Sequence, residues 1–220
     1  MKRIAIPFTL LIALLGASLA FADVSVFKTS FSTRSEYSSI TRLSGPTSIC
    51  KRSWRNKKAV GVETKGGDVD CALATPVQGD AKLPDHTIKA VAVVTKKTDK
   101  KNRKDTYVGL AVRVDDRGGY EMRIFPKSRR YQLLKSGEVL QEDREKSIGA
   151  LDEKNRLQLS VLKNTVTAKV NGKAVAEFKD KNAKQVKGKK TAITYGVRKK
   201  SKKALSFSYF DKLKVQVPVP

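Results

Sequence analysis

The stretch Tyr107–Phe125, YVGLAVRVDDRGGYEMRIF, constrains this chain more than any other. Val108, Leu110, Val112 and Val114 recur at every second position, and so do Tyr120, Met122 and Ile124. Side chains alternate between the two faces of a strand, so each run can bury one face and turn the other outward. On this spacing Val114 shares the buried face, while Arg113, Glu121 and Arg123 share the outward one. Asp115, Asp116, Gly118 and Gly119 supply the positive φ and the local side-chain bonds that a hairpin loop needs.

The same rhythm runs through the chain. Strands are expected at Val24–Phe31, Ala59–Thr64, Val69–Val77, Thr87–Thr95, Tyr131–Lys135, Glu138–Gln141, Thr165–Val170, Lys173–Phe178, Thr191–Val197, Ala204–Tyr209 and Phe210–Val217, and around Leu157, Leu159 and Val161. Gly66-Gly67 makes Ala59–Thr64 and Val69–Val77 read as a hairpin. Ser136-Gly137 and Asn171-Gly172 mark tight turns, the second a type I′ signal. Ser30–Gly45 reads as a loop with a short turn of helix, and Glu142–Glu153 as a charged loop with a helical turn around Ile148–Leu151. A dozen short strands without a helical period indicate an all-β, antiparallel two-sheet sandwich or a barrel.

Residues 1–22 read as a signal peptide. Lys2 and Arg3 precede an apolar run, and Ala20-Phe21-Ala22 places cleavage between Ala22 and Asp23. An uncleaved anchor is the alternative, since the run is nearly long enough to span a bilayer. The expected product is a secreted or periplasmic single domain, 23–220, with no stable membrane span. Cys50 and Cys71 are the only cysteines, and in an oxidising compartment they are expected to pair. With one histidine, His86, a Cys/His metal site is not expected. The formal charge is +25, from 46 Lys and Arg against 21 Asp and Glu. Such an excess draws anionic partners such as acidic glycans or, without specificity, nucleic acid. It also suits mere solubility.

The order of motifs in the second half resembles a known pattern. Gly109–Arg113 leads to Asp116–Tyr120 and Tyr131–Leu133, then to Leu157–Gly172, and Phe210–Val215 closes the set. Together these resemble the laminin-G-like branch of the concanavalin A-like jelly rolls, over about residues 107–217. The resemblance implies two packed antiparallel sheets with one concave face open to ligand, and a role as a non-catalytic carbohydrate-binding module. The glucanase relatives carry E-x-D-x-x-E on one strand. No Glu here has an Asp two positions on, so no catalytic residue is assigned. A glycoside hydrolase or lyase of the same fold, or an adhesion protein, remains the alternative.

Several groups qualify as sites. Arg113, Glu121 and Arg123, with Tyr107, could hold sugar hydroxyls or a carboxylate, or could be a charge ladder that stabilises the sheet. Trp54 lies among Lys51, Arg52, Arg55, Lys57 and Lys58, and could stack a ring or pack in the core. Asp115 and Asp116, or Asp68 and Asp70, are the oxygen donors for Ca2+, although paired Asp in a Gly loop is usually a turn former. Glu142, Asp143 and Glu145 read as solvated acids. If successive strands run antiparallel, three basic loops fall at one end. Lys96, Lys97, Lys100, Lys101, Arg103, Lys104, Lys127, Arg129, Arg130, Arg198, Lys199, Lys200, Lys202 and Lys203 would then meet as a polyanion patch, with Lys179–Lys190 at the opposite end. Solvated hairpin tips are the simpler explanation of those loops.

Overall fold

An extended segment leaves its backbone N–H and C=O groups open along both edges, and pairing satisfies them. The computed structural model describes residues 23–56, 58–76, 85–115, 118–199 and 204–218. The leader and the Ala22 side of its cleavage point, together with Lys57, Asp116, Lys200, Lys202 and Lys203, lie outside these residues.

One sheet has the order β13 (Lys173–Lys179), β12 (Thr165–Val170), β11 (Asn155–Leu162), β6 (His86–Val94), β15 (Leu205–Pro218), β4 (Ala59–Lys65) and β3 (Cys50–Arg55), with β1 (Asp23–Thr29) also on β15. The other has the order β10 (Glu138–Arg144), β9 (Arg130–Lys135), β8 (Gly118–Phe125), β7 (Thr106–Asp115), β14 (Lys190–Val197), β5 (Val69–Ala74) and β2 (Thr41–Ser44). Every pairing is antiparallel. The inner faces meet in one core. Ile88, Ala90, Leu157, Leu159 and Val166 from the first sheet face Val108, Leu110, Val112, Tyr120, Met122 and Ile124 from the second. The expected two-sheet sandwich is therefore the fold.

Several details differ from the sequence pattern. Ala59–Lys65 and Val69–Ala74 are not a hairpin. Gly66 and Asp68 take positive φ, and the chain crosses from one sheet to the other, where β4 pairs with β15 and β5 with β14. Cys50–Arg55 is an edge strand, hidden in the sequence by its run of charges. The loop 30–45 holds the expected short helix, α1 (Arg34–Ser39), opened by a Thr33–Glu36 capping box, but also the unexpected β2. Ile148–Leu151 forms turns without a helix. Two expected strands are one, because β15 continues through a kink at Lys212 (φ 51°).

The largest departure is in the hairpin. The register of β7 against β8 shifts between Val112 and Asp115, and Arg113 takes φ 51°. One extra residue in a bulge reverses the faces beyond it. Val114 therefore leaves the core side and packs with Leu43, Ala72, Ala111 and Ala192 on the opposite face. Arg113 moves the other way, between the sheets.

Polar groups close that end of the sandwich. Arg113 donates to Asp85 Oδ1 (2.9 Å) and to the Lys163 carbonyl (2.8 Å), both from the opposite sheet or its loops. Asp180, which follows β13, accepts from Tyr120 Oη (2.6 Å) and Lys135 Nζ (2.7 Å) across the same gap. The expected Cys50–Cys71 disulfide joins β3 to β5, and so one sheet to the other. A bridge over a separation of 21 residues stabilises by about 3 kcal/mol in the chain-entropy model.

Asp180 generates a pH test. Burial alone would raise its pKa, but the bonds from Lys135, Tyr120 and the Asn182 amide hold it below the ordinary carboxylate range. A depressed carboxylate stabilises the fold above its unfolded pKa, and that contribution is lost as pH falls through the folded value. Asp180→Asn should lower stability by about 1–3 kcal/mol at neutral pH. Its denaturant midpoint should also fall less than the wild type's below about pH 4.

Candidate functional site

A groove lies over the outer face of the seven-stranded sheet, and small residues create it. On β5, β14 and β7 the residues facing away from the core are Ala72, Ala192, Thr194, Gly109 and Ala111. They stand side by side: Ala72 opposite Thr194, Thr194 opposite Gly109, and Ala192 opposite Ala111. A Cβ at Gly109 would collide with the Met122 carbonyl, so only glycine fits there. The result is a trough of about 830 Å³. Leu43 and Ser44 wall one side and Glu121 the other, while Val114, Asp115 and the loop Lys187–Lys190 close one end. Lys187, Lys189 and Lys190 are exposed on that rim. Thr194 Oγ1, buried in the floor, has no hydrogen-bond partner among the described residues.

Beyond the groove, the charged residues of this face bind one another. Arg123 donates Nε and Nη2 to the two oxygens of Glu121, both at 2.8 Å, and lies 3.3 Å from Asp70 Oδ2. Its guanidinium covers the Tyr107 ring at 4.4 Å. Tyr107 is fully buried and donates to Asp70 Oδ1 at 2.8 Å, and Arg198 donates to the other Asp70 oxygen at 3.0 Å. Burial, then the Glu121 charge, pushes the Tyr107 phenol well above its ordinary range. Burial opposes the charge of Arg123, but the Glu121 carboxylate outweighs it and keeps the guanidinium protonated.

These contacts revise the expected ligand set. Arg113 does not share a face with Glu121 and Arg123. Tyr107 is covered, and Arg123 is only 4% exposed with its donors engaged. The group is a cross-strand charge ladder. Trp54 is half-buried, donates to the Phe31 carbonyl at 2.7 Å and stacks on Tyr37 of α1, so it packs the helix onto β3. Asp68 and Asp70 bind Arg198, and Asp115 is half-buried at the groove end. Glu142 accepts from Gln132 and Arg130, and Glu145 from the Ser147 amide and Lys173, which lowers both carboxyls. His86 is buried at the start of β6. Among the described residues no group of three or more His, Cys, Asp or Glu is placed to hold a metal ion, and no helix is long and apolar enough to cross a membrane.

Backbone and side-chain hydrogen bonds connect parts of the basic loops among the described residues. Arg198 N donates to the Asp105 carbonyl (3.0 Å), Ser128 Oγ to the Lys104 carbonyl (3.4 Å), and Glu145 N to the Arg129 carbonyl (2.8 Å). Some of the cations serve the structure. Arg103 holds the carbonyls of Thr98 and Lys96, Lys96 pairs with Asp152, and Arg130 pairs with Glu142. Lys97, Lys100, Lys101, Lys104, Lys127, Arg129 and Lys199 are exposed and have no ion pair among the described residues.

Sheet order and the outer groove define a lectin-like jelly-roll β-sandwich. The structure is similar to a protein of unknown function with a galectin-like fold from Bacillus subtilis, with a TM-score of 0.63 and 11% identity over 90% of this chain and 100% of that one. It is similar to a lectin from Bauhinia forficata in complex with GalNAc, with a TM-score of 0.58 and 10% identity over 90% and 100%. An alginate lyase of polysaccharide lyase family 7 matches with a TM-score of 0.51 and 14% identity over 79% and 85%. No family model matches the chain, and no curated protein matches it in sequence.

The groove was missed in the sequence, although a signal exists: Gly109-x-Ala111 and Ala192-x-Thr194 put small residues on the non-core positions of central strands. The account of Arg113 is testable. Arg113→Ala removes the donor that Asp85 Oδ1 and the Lys163 carbonyl share, leaving Asp85 with the Lys163 amide alone. It should cost about 1–3 kcal/mol in denaturant unfolding, while the folded fraction keeps its ligand affinity.

Proposed function

We propose that the protein is an exported, non-catalytic carbohydrate-binding sandwich that takes a glycan in the groove over β5, β14 and β7. The carrying observation is the groove itself, with its floor of Ala72, Ala111, Ala192 and Thr194 and its rim of Lys187, Lys189 and Lys190. Its volume suits a small ligand, and a small-residue floor lets a sugar ring lie close to the sheet. The lysines can donate to hydroxyls or to a sugar carboxylate. The lectin in complex with GalNAc and the alginate lyase are fold neighbours whose ligands are glycans, which supports the same class here. Within the lectin-like sandwiches, the motif order over residues 107–217 supports the laminin-G-like branch.

A binding role is favoured over catalysis because Tyr107, Glu121, Arg123 and Asp70 are occupied by one another. The apolar leader, with Asp23 as the first mature residue, and the disulfide support export to the periplasm or beyond. The exposed lysines of the basic end add a long-range attraction toward anionic surfaces without forming a binding site of their own.

Glycan-array screening followed by calorimetry on the best hit tests this. Ala72→Phe, which fills the floor, and Lys189→Glu, which alters only the rim, should each weaken binding about tenfold or more, or about 1.4 kcal/mol, with unchanged melting. Absence of any glycan hit, or wild-type affinity in both variants, would refute the reading.

A further inference from the structure

The outer face of the eight-stranded sheet carries a feature that appears only once the strands are in register. Lys28 on β1 stands opposite Lys214 on β15. Lys214 stands opposite Lys89 on β6. Lys89 stands opposite Gln158 on β11, and Gln158 opposite Lys169 on β12. Each is flanked along its strand by core residues, for example Ile88 and Ala90 beside Lys89 and Leu213 and Val215 beside Lys214, so all five share the outer face. They form one line across five adjacent strands, with strands about 4.8 Å apart.

Like charges directly opposite each other on neighbouring strands repel and destabilise a sheet. Here Lys214 faces a lysine on both sides, and none of the four lysines has an ion-pair partner among the described residues. The nearest acids of this face, Asp211 opposite Val91 and Glu177 opposite Thr167, stand one row to either side. The row on the Glu177 side is hydroxyl-rich: Gln216 opposite Thr87, Thr87 opposite Ser160, and Ser160 opposite Thr167. No aromatic residue stands in the lysine row or in the registered positions of these two flanking rows. The row thus has cations at strand spacing and hydroxyls beside them, without the stacking platform that single-stranded nucleic acid uses.

We propose that this row is a second binding site, separate from the groove, for a linear acidic polysaccharide that crosses the strands with its anionic groups over Lys28, Lys214, Lys89 and Lys169. The polymer relieves the repulsion within the row, Gln158 fills the gap between Lys89 and Lys169, and the neighbouring hydroxyls bond to sugar hydroxyls.

The test measures binding of alginate, dextran and a single-stranded oligonucleotide across a salt series. Four proteins are compared: the wild type, the row variant Lys89→Gln/Lys169→Gln/Lys214→Gln, the groove variant Ala72→Phe and the loop variant Lys100→Gln/Lys101→Gln. The row variant should lose about tenfold or more in alginate affinity and show a shallower salt dependence, while the groove and loop variants keep wild-type alginate binding. Dextran should not respond to the row. Lys214→Glu, which sets an acid between two lysines, should raise the melting temperature and also weaken alginate binding. Unchanged alginate binding in the row variant overturns the proposal, and so does equal loss in the loop variant. Row-dependent oligonucleotide binding as tight as alginate binding would overturn it as well. The groove reading stands or falls separately, on Ala72→Phe and the array hit.

Discussion

One backbone irregularity organises the seven-stranded sheet and the groove over it. The bulge at Arg113 turns a guanidinium into the space between the sheets, where a charge is tolerated only if its donors are satisfied. Asp85 and the Lys163 carbonyl satisfy them, so a residue from the middle of one sheet ties down the start of β6 and the β11–β12 turn of the other. The same bulge sends Val114 outward to wall the groove. It also exposes the Arg113 carbonyl to Gly188, where any Cβ would collide. The loop that carries Lys187, Lys189 and Lys190 therefore sits directly on the bulge, and the sheet clamp, the groove wall and its basic rim share one cause.

The charges divide into two populations. Arg113, Arg123, Asp70, Glu121 and Asp180 are tied up in stabilising contacts, and the burial of Arg113, Arg123 and Asp180 is compensated by paired, short, directional bonds. The remaining cations lie on the groove rim, across the outer face of the eight-stranded sheet, and on the loops at the far end. These face water, so any contact they make with an anion is weakened by salt. The positive balance of the chain is thus not a uniform coat, because strand register and loop parity sort it into separate surfaces.

Much of this was legible in the sequence. Period-two alternation from Val108 to Ile124, the Asn171-Gly172 turn and the order of later strands imply an antiparallel sandwich, and loop parity brings Lys104 and Arg129 to one end. What was not legible depended on register. A single extra residue at Arg113 reverses Val114 and Arg113, and nothing in VRVDD announces it. The β4–β5 crossing looks local because Gly66-Gly67 suits a hairpin, yet long-range pairing with β15 and β14 wins. The groove leaves only a faint trace, its small residues on non-core positions, and the lysine row leaves none: Ala72, Thr194 and Ala111, or Lys28, Lys214 and Lys89, are distant in sequence and become neighbours only across strands.

Amide chemical-shift mapping, with the array-selected glycan titrated into the labelled protein, distinguishes the groove from the charge ladder. Perturbations should centre on Ala72, Ala111, Ala192 and Lys189, with Tyr107 and Arg123 unmoved. Perturbations centred on Tyr107, Asp70 and Arg123 instead would contradict a groove site, because they would make the charge ladder the binding site.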